Sequence, residues 1–370
     1  MAKGFRRFTK RFLLMINIFF CVIFLLGCLV PFLNPLTWWF MGFLGLIFPY
    51  VGLVLVLWIL FWWFIKPKLS LISIVVLLIG YKQLGVLFAI NKPVSFQQEK
   101  VSDALRIADW NIRSFVGTGN TWEKQKLARQ GIVDLLSRLD ADVLCLQEFN
   151  HSYIKETGNN LSLFTTKYPY YYFSRDFKRD GGNYASGTII FSRYPILDSG
   201  KVKYPGKFSE SLIYADIVKG PDTFRIYTTH LLSFRFNKTD YDGMDKIKED
   251  PETLAASKSI IRKMKHAFTQ RGAQADIAKA HIQQSPYPSV LSGDFNDIPN
   301  SYTYFTMKGD RKDAFLQKSL GIGRTYLSLA PTLRIDYILP DKRFDVLQFD
   351  MIDENLSDHL LLVSDLKLKK

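Results

Sequence analysis

Three long apolar runs near the amino terminus place the strongest constraint on how this chain folds. They are FLLMINIFFCVIFLLGCLVPF, WWFMGFLGLIFPYVGLVLVLWILFWWF and LSLISIVVLLIGYKQLGVLFAI. Each contains the roughly 20 apolar residues that a membrane-spanning helix needs. The pairs Trp38–Trp39 and Trp62–Trp63 lie at the ends of the second run, where interfacial aromatic residues are common. The sequence therefore predicts a membrane anchor over residues 1–90, with spans near 12–33, 38–64 and 69–90.

The charge pattern of the anchor indicates its orientation. It contains no Asp or Glu, and its basic residues are Lys3, Arg6, Arg7, Lys10, Arg11, Lys66, Lys68 and Lys82. Five of them precede the first run and two separate the second run from the third. The positive-inside rule then places the amino terminus in the cytoplasm, and three crossings place everything after Asn91 outside the membrane.

Two alternatives bear on this anchor. A cleaved signal peptide is disfavoured for the first run, because the run is too long, no small-residue cleavage site follows, and two more runs come after it. The third run is interrupted by Tyr81-Lys82-Gln83. It either crosses with Lys82 near an interface, its long stem reaching toward water, or lies in the membrane surface. If it does not cross, the large domain is cytoplasmic instead.

The rest of the chain has the pattern of a soluble α/β domain. It carries only +6 of the net charge of +14, without the dense basic stripe of a dedicated nucleic-acid binder. We predict a linker at 91–104 and a folded domain at 105–370. The apolar period alternates between 2 and 3.6, which favours sheets covered by helices. Helices are predicted over 121–139, with Thr121 as N-cap, and over 253–284; the acidic stretch 240–250 is predicted to be a surface loop.

Polar side chains close several of the predicted strands. In LSGDFNDIP, Asp294 and Asn296 follow a short apolar strand, and residues two apart in an extended chain point to the same side. Asp and Asn are also common in turns, so this stretch alone leaves both interpretations open. Further residues of this kind close strands at Asn111, Glu148 and His230, lie within a strand at Asp336, and open the last strand at Asp358-His359. Six strands with such a residue predict that their ends converge on one pocket.

The order of these motifs, from WNIR through GDFND to a terminal SDH, resembles the endonuclease/exonuclease/phosphatase superfamily of metal-dependent phosphodiesterases and phosphatases. With the apolar runs, the chain is similar to membrane-anchored bacterial members of that group. The resemblance implies an α/β fold, a four-layer α/β/β/α sandwich of the deoxyribonuclease type. Two mixed, mostly antiparallel sheets would lie face to face with helices outside, preceded by about three transmembrane helices. The catalytic domain would then be residues 105–370.

The resemblance also implies a divalent cation, Mg²⁺, for which Mn²⁺ is expected to substitute. Cleavage of a phosphodiester spreads negative charge over the phosphoryl oxygens, which a cation and hydrogen-bond donors must offset. Mg²⁺ prefers oxygen ligands and keeps several waters. The expected ligands are Glu148, Asp358 and the amide oxygen of Asn111.

The implied catalytic residues are His230, Asp294, Asn296, Asp336 and His359. Asp294 would orient or deprotonate the attacking water, with Asn296 holding it or the phosphate in place. His359, whose tautomer and basicity Asp336 would set, would donate a hydrogen bond or proton to the phosphoryl group. His230 would contact a non-bridging oxygen. In the family's abasic-site endonucleases a tyrosine tends to stand there, so the histidine favours other branches.

The expected activity is hydrolysis of a phosphate ester, most simply a phosphodiester, by in-line attack of water. The substrate is either nucleic acid or a phospholipid head group, and the lipid bilayer is a partner through the amino-terminal helices. No obligate protein partner is evident. The protein is expected in the bacterial cytoplasmic membrane with its catalytic domain on the outer side. The alternative is a catalytically inactive, membrane-anchored binding scaffold of the same fold, which would be expected to have lost some of the site residues; none is missing.

Overall fold

The computed structural model describes residues 2–92, 95–101, 103–119, 121–155, 158–206, 210–236, 240 and 252–369. Most of the predicted acidic loop, residues 241–250, lies outside the described residues. Its first member, Asp240, is buried and forms an ion pair with Lys263, so this end of the stretch is not a solvated loop.

Two long apolar helices begin the chain. They are α1 (Ala2–Leu29) and α3 (Met41–Ile65), joined by the short helix α2 (Pro35–Trp38). The side chain of Asn34 caps α2 by accepting a hydrogen bond from the Leu36 amide at 2.9 Å. By length and composition, the stretches Gly4–Phe32 and Met41–Ile65 can each cross a membrane. Both agree with the first two predicted spans.

The third apolar run differs from its prediction. It is divided at Gly80 into α4 (Pro67–Ile79) and α5 (Tyr81–Gly85), and residues Ala89–Ile90 form strand β1. The 13 residues of α4 rise only about 20 Å, against the ~30 Å of a bilayer core. Where about three transmembrane helices were expected, the structure has two helices that are long and apolar enough to cross a membrane, followed by a broken third apolar segment. The break coincides with the polar interruption noted in the sequence, where Gln83 donates to the Cys28 carbonyl at 3.1 Å.

Polar contacts show how the three segments lie together. Asn17 of α1 accepts a hydrogen bond from the Trp62 indole at 3.1 Å and donates one to the Ser73 hydroxyl at 2.8 Å. Further along α1, the rings of Phe24 and Phe48 stack at 4.6 Å. Residue numbers thus fall along α3 as they rise along α1, so the two helices are antiparallel. The segment α4–α5 runs in the same direction as α1, since its end lies beside Cys28.

Two β-sheets form the core of the remaining chain. The larger sheet has strand order β13-β14-β2-β3-β6-β4, with β5 paired to β6, and the smaller has order β12-β10-β9-β8-β7. The strands of the larger sheet are β2 (Leu105–Asn111), β3 (Val143–Ser152), β4 (Tyr170–Phe173), β5 (Phe177–Arg179), β6 (Tyr184–Ser192), β13 (Phe344–Ile352) and β14 (Leu361–Leu368). Those of the smaller sheet are β7 (Ile196–Lys203), β8 (Ser211–Lys219), β9 (Asp222–His230), β10 (Ser289–Asp294) and β12 (Asp336–Pro340). A separate pair joins β1 to β11 (Leu320–Gly321).

Helices cover the outer face of each sheet. On the larger sheet lies α6 (Trp122–Arg138), whose predicted cap is confirmed, because the Thr121 hydroxyl accepts from the Lys124 amide at 3.4 Å. On the smaller sheet lie α8 (Glu252–Ile282) and α9 (Tyr302–Lys308). Two short helices complete the set, α7 (Ser162–Thr165) and α10 (Ala314–Lys318). The predicted four-layer α/β/β/α sandwich is confirmed.

Strand alternation decides which side chains enter the space between the sheets. In β2, Ala108 and Trp110 belong to the core under α6, whereas Leu105 and Ile107 belong to the core between the sheets. Because side chains alternate along a strand, Asn111 lies on the inner side with Ile107. By the same alternation, the polar side chains at the strand ends of the smaller sheet face the space between the sheets, at one edge of the sandwich.

Candidate active site

Three site residues lie side by side across the smaller sheet. The register pairs Asp294 at the end of β10 with His230 of β9 on one side and with Asp336 of β12 on the other. Ile226 and Ile338 lie between the sheets, so their same-side partners His230 and Asp336 also face inward. Strand pairing alone thus assembles the centre of the predicted pocket.

The turn after β10 fixes the Asp294 carboxylate. The Asn296 amide nitrogen of the backbone donates to Asp294 Oδ1 at 2.8 Å, and its side-chain Nδ2 donates to Oδ2 at 3.2 Å. The same Nδ2 donates to the Leu231 carbonyl at 3.0 Å. Asn296 has a φ of 52°, a left-handed conformation that Asn tolerates better than most residues. The DFN sequence therefore forms a turn, and this turn fixes the orientation of the Asp294 carboxylate.

His359 forms a hydrogen-bonded pair with Asp336. Its Nδ1 lies 3.0 Å from each carboxylate oxygen of Asp336, and its Nε2 lies 3.8 Å from Asp294 Oδ2. The indole of Trp110 donates to the His359 carbonyl at 2.8 Å, and the Tyr326 ring packs against the imidazole. The carboxylate therefore fixes the imidazole so that Nε2 faces Asp294.

His230 forms a second pair of this kind, with a residue that the sequence did not indicate. Its Nδ1 lies 3.0 Å from Glu210 Oε1, and its Nε2 lies 3.5 Å from Asp294 Oδ2. The Thr188 hydroxyl donates to the other Glu210 oxygen at 2.8 Å. Glu210 precedes β8, and only the antiparallel register of β8 with β9 brings it beside His230. Its sequence context, SESLIYADIV, gave no signal beyond a polar residue before a strand.

A β-bulge in β3 directs the Glu148 side chain into the site. The pairing of β3 with β6 shifts register between Leu146 and Phe149, and Glu148 has a φ of 53°. Leu146 and Phe149 both belong to the core under α6, so the extra residue releases Glu148 from strict alternation. The result is a carboxylate directed at the pocket from the larger sheet.

Asn111 connects the two sheets. Its Nδ2 donates to Glu148 Oε1 at 3.2 Å and to Asp294 Oδ2 at 3.1 Å, while its Oδ1 accepts from the Arg113 amide at 3.0 Å. Glu148 and the Asp294–His359 cluster therefore meet through one side chain. The amide nitrogen of Asn111, not the oxygen expected to bind a cation, faces the carboxylates here.

These side chains border an open cavity of about 410 Å³. Asp358 lies on its wall, with its Oδ2 3.6 Å from the Arg113 Nε. Two of the nine residues in the site, Asp336 and Glu210, are absent from the cavity wall because each lies behind its histidine. The predicted residues on the wall are Asn111, Glu148, His230, Asp294, Asn296, Asp358 and His359.

Burial and neighbouring charges determine the protonation states. Burial alone would lower the pKa of His359, but the negative charges of Asp336 and Asp294 raise it to about 10. The pKa of His230 is likewise raised to about 10, since the charge and hydrogen bond of Glu210 outweigh burial. Burial and the charge of Asp336 raise the pKa of Asp294 to about 6. At neutral pH a carboxylate therefore lies between two imidazolium groups.

A further carboxyl group lies behind the site. Asp109 of β2 is fully buried, and Gln147 donates to its Oδ1 at 2.9 Å and to the Thr228 hydroxyl at 2.9 Å. Burial, followed by the charges of Asp336 and Asp294, raises the pKa of Asp109 well above its usual range. Burial therefore favours the neutral form of Asp109.

Two groups of side chains could hold a divalent cation. The ligand atoms of Asp294, Asp336 and His359 lie within 4.8 Å of one another. Both oxygens of Asp336 are already engaged by His359, however, and Mg²⁺ prefers oxygen to imidazole ligands. Glu148 and Asp358 offer carboxylate oxygens on the cavity wall, with room for bound waters. The donor chemistry therefore fits Mg²⁺ better on the Glu148 side.

Comparison with known proteins places this arrangement in a family. The family model described as Endonuclease/Exonuclease/phosphatase family matches residues 110–359. A second model, for a domain of unknown function, matches residues 10–87. A search of curated proteins finds no match.

Three solved structures are similar to this chain. An endonuclease/exonuclease/phosphatase from Beutenbergia cavernae is 21% identical with a TM-score of 0.52, over 72% of each chain. The human Nocturnin catalytic domain with bound sulfate is 18% identical with a TM-score of 0.49, over 73% of this chain and 97% of that one. Sphingomyelinase C from Streptomyces griseocarneus is 16% identical with a TM-score of 0.45, over 71% and 99%. The chain belongs to the endonuclease/exonuclease/phosphatase family, whose members generally hydrolyse phosphate esters.

Proposed function

We propose that this protein is a Mg²⁺-dependent phosphodiesterase that activates water with Asp294. The observation that carries the proposal is the placement of the Asp294 carboxylate between two histidines, with Oδ2 3.5 Å from His230 Nε2 and 3.8 Å from His359 Nε2. A base flanked by two cationic donors suits the attack of water on an anionic phosphoryl group.

Each side chain has a distinct part in this proposal. Asp294 accepts the proton of the attacking water, and the two hydrogen bonds from Asn296 orient its carboxylate. His359 donates a hydrogen bond or proton to the phosphoryl group, and Asp336 keeps its Nδ1 protonated. His230 donates to a non-bridging oxygen of the phosphate. Glu210 keeps the Nδ1 of His230 protonated, as Asp336 does for His359.

The expected cation ligands are Glu148, Asp358 and Asn111. Bound there, Mg²⁺ would offset the charge that develops on the phosphoryl oxygens. Asn111 would bind the ion through its amide oxygen, which in this structure accepts a hydrogen bond from the Arg113 amide at 3.0 Å.

Phosphodiesters of nucleic acids and of phospholipid head groups both satisfy this chemistry. The inactive-scaffold alternative is disfavoured, because every one of the expected site residues is present and seven of them line one cavity.

The direct test is hydrolysis of bis(p-nitrophenyl) phosphate by the detergent-solubilised protein with Mg²⁺ or Mn²⁺. We expect Asp294→Ala and His359→Ala each to lower kcat by about 10²–10⁴-fold, the range for loss of a general acid or base. His266→Ala is the matched control, since this histidine is exposed on α8, and its turnover should equal that of the wild type. Unchanged turnover in both site variants would refute the assignment.

A further inference from the structure

The active-site cavity is bounded on one side by the membrane anchor. Leu46 of α3 lines the cavity together with the catalytic side chains. The catalytic domain packs directly on this end of the helices: Asn300 donates to the Gly27 carbonyl at 3.1 Å, and the Tyr50 and Thr332 hydroxyls lie 3.2 Å apart. The site is therefore held against the ends of α1 and α3 rather than at a distance from them.

Aromatic residues mark this end of the anchor as the membrane interface. Trp38 and Trp39 lie between α1 and α3, and Lys265 of the catalytic domain lies over the Trp39 ring at 4.9 Å from its centroid. Phe32, Leu36 and Phe40 in the same connection are exposed. Tryptophan in such a position prefers the head-group region of a bilayer. The cavity, which Leu46 borders just beyond this connection, consequently lies near the depth of lipid phosphates.

An apolar groove continues from the cavity along the anchor. Its volume is about 290 Å³. It adjoins the cavity at three points: Pro49 lies one turn beyond Leu46 on α3, and Pro299 and Thr332 are the chain neighbours of cavity residues Ile298 and Leu333. Its other walls are Ile322 of the catalytic domain and apolar residues of α3 and of the third apolar run, including Leu53, Val56, Leu77, Leu84 and Leu87.

The groove opens toward the surroundings of the helices. Leu53 and Val56 are 58% and 43% exposed, although they lie within a stretch long enough to cross a bilayer. In a membrane these side chains face hydrocarbon rather than water. An occupant of the groove therefore comes from the acyl layer, and its other end reaches the catalytic cavity.

We propose that the substrate is a membrane phospholipid that enters from the bilayer, with an acyl chain in this groove and its phosphodiester in the cavity. This inference rests on the proposed function and names its substrate class. The apolar groove matches the acyl chain, and the side chains of His230 and His359 on the cavity wall match the phosphate. A nucleic acid would use neither the groove nor the membrane, and its cleavage is the competing outcome of the test.

The test uses the full chain in proteoliposomes of phosphatidylethanolamine and phosphatidylglycerol. Release of diacylglycerol or phosphatidic acid is the readout, because water that attacks the phosphorus displaces either the glycerol or the head-group alcohol. Leu53→Trp fills the groove. Leu57→Trp is the matched control, because Leu57 lies one turn further on α3, is 56% exposed against 58% for Leu53, and does not line the groove. Bis(p-nitrophenyl) phosphate and plasmid DNA are assayed in parallel.

We expect the wild type to hydrolyse at least one of the two lipids. Leu53→Trp should lower kcat/KM for that lipid by about 10-fold or more, because about two methylenes of the acyl chain would no longer be buried. Its turnover of bis(p-nitrophenyl) phosphate, which has no acyl chain, should stay unchanged. Leu57→Trp should match the wild type on every substrate. Lipid turnover that is insensitive to Leu53→Trp would overturn the inference. So would cleavage of DNA with no lipid hydrolysis, although the proposed function would then stand. No hydrolysis of any phosphodiester would overturn both.

Discussion

At the scale of single residues, the proposed reaction depends on charged side chains that neighbouring residues hold in place. Among the described residues, the basic side chains within ion-pair distance of the Asp294 carboxylate are His230 and His359. Each histidine owes its positive charge to a carboxylate behind it, Asp336 or Glu210. The rate of the proposed reaction is therefore expected to depend on pH.

The raised pKa values predict a bell-shaped pH profile of kcat/KM. Asp294, with a pKa of about 6, is the active carboxylate only above that pH, so activity should rise as pH increases through 6. His230 and His359, with pKa values of about 10, are protonated donors only below that pH, so activity should fall as pH increases through 10. A profile that is flat between pH 5 and 8 would contradict the assignment of Asp294 as base.

Glu210→Gln tests the support of His230. Removing the carboxylate removes the main influence that raises the pKa of His230, so the alkaline limb of the profile should move to lower pH. Glu210→Asp, which keeps the charge, should retain more of the wild-type limb. A loss of folding alone would lower activity at every pH without moving the limb, which distinguishes the two effects.

Glu148→Gln tests the cation site. The variant keeps the shape of the side chain but loses its charge, so the Mg²⁺ concentration needed for half-maximal activity should rise by about 10-fold or more. EDTA should abolish the activity of the wild type, and Mg²⁺ or Mn²⁺ should restore it. An unchanged Mg²⁺ requirement would exclude Glu148 as a ligand.

At the scale of secondary-structure elements, the glycine of GDFND is required by strand pairing. Gly293 has a φ of 134°, and a Cβ there would lie 2.1 Å from the Thr229 carbonyl oxygen of the neighbouring strand. Gly293→Ala should therefore lower the free energy of unfolding by about 3 kcal/mol or more. Gly220→Ala is the control, because its φ is 61° with no atom within 4 Å, and it should cost only about 1–2 kcal/mol. Equal losses in thermal or denaturant unfolding would contradict the close approach.

The sequence predicted the elements better than their local distortions. Alternation in β2 and β10 was sufficient to direct Asn111 and Asp294 to the same space. The bulge at Glu148 was not predictable, since it appears only as a register shift between β3 and β6. Glu210 was missed for a similar reason. It precedes β8, and it meets His230 only because β8 pairs antiparallel with β9. Both failures concern contacts between strands distant in sequence.

At the scale of the whole molecule, the catalytic domain packs on one end of the apolar helices, and the positive-inside rule predicts that the opposite, basic end is cytoplasmic. Lys10 and Lys66 lie together at the end of the helices away from the catalytic domain, whereas Gly27 and Val86 lie at the domain's end, where Val86 accepts a hydrogen bond from Arg334. The third segment therefore returns to the domain, although α4 is too short to span alone. The periodicity of the sequence could not show this return, because it depends on how a broken helix packs on α1.

Reporter fusions test this orientation. With the basic end in the cytoplasm, alkaline phosphatase fused after Leu368 should be active and a fluorescent protein there should be dark. Fusions after Lys68 should give the opposite result. Fluorescence from the fusion after Leu368 would place the catalytic domain in the cytoplasm.

The most direct test of the central claim is a crystal structure of the protein with Mn²⁺, located by its anomalous signal. We expect a peak about 2.1 Å from a Glu148 carboxylate oxygen, the distance for a hard cation of this size, with Asp294 and His359 across the cavity. A peak bound to Asp294, Asp336 and His359 instead, or no peak in the cavity, would contradict it.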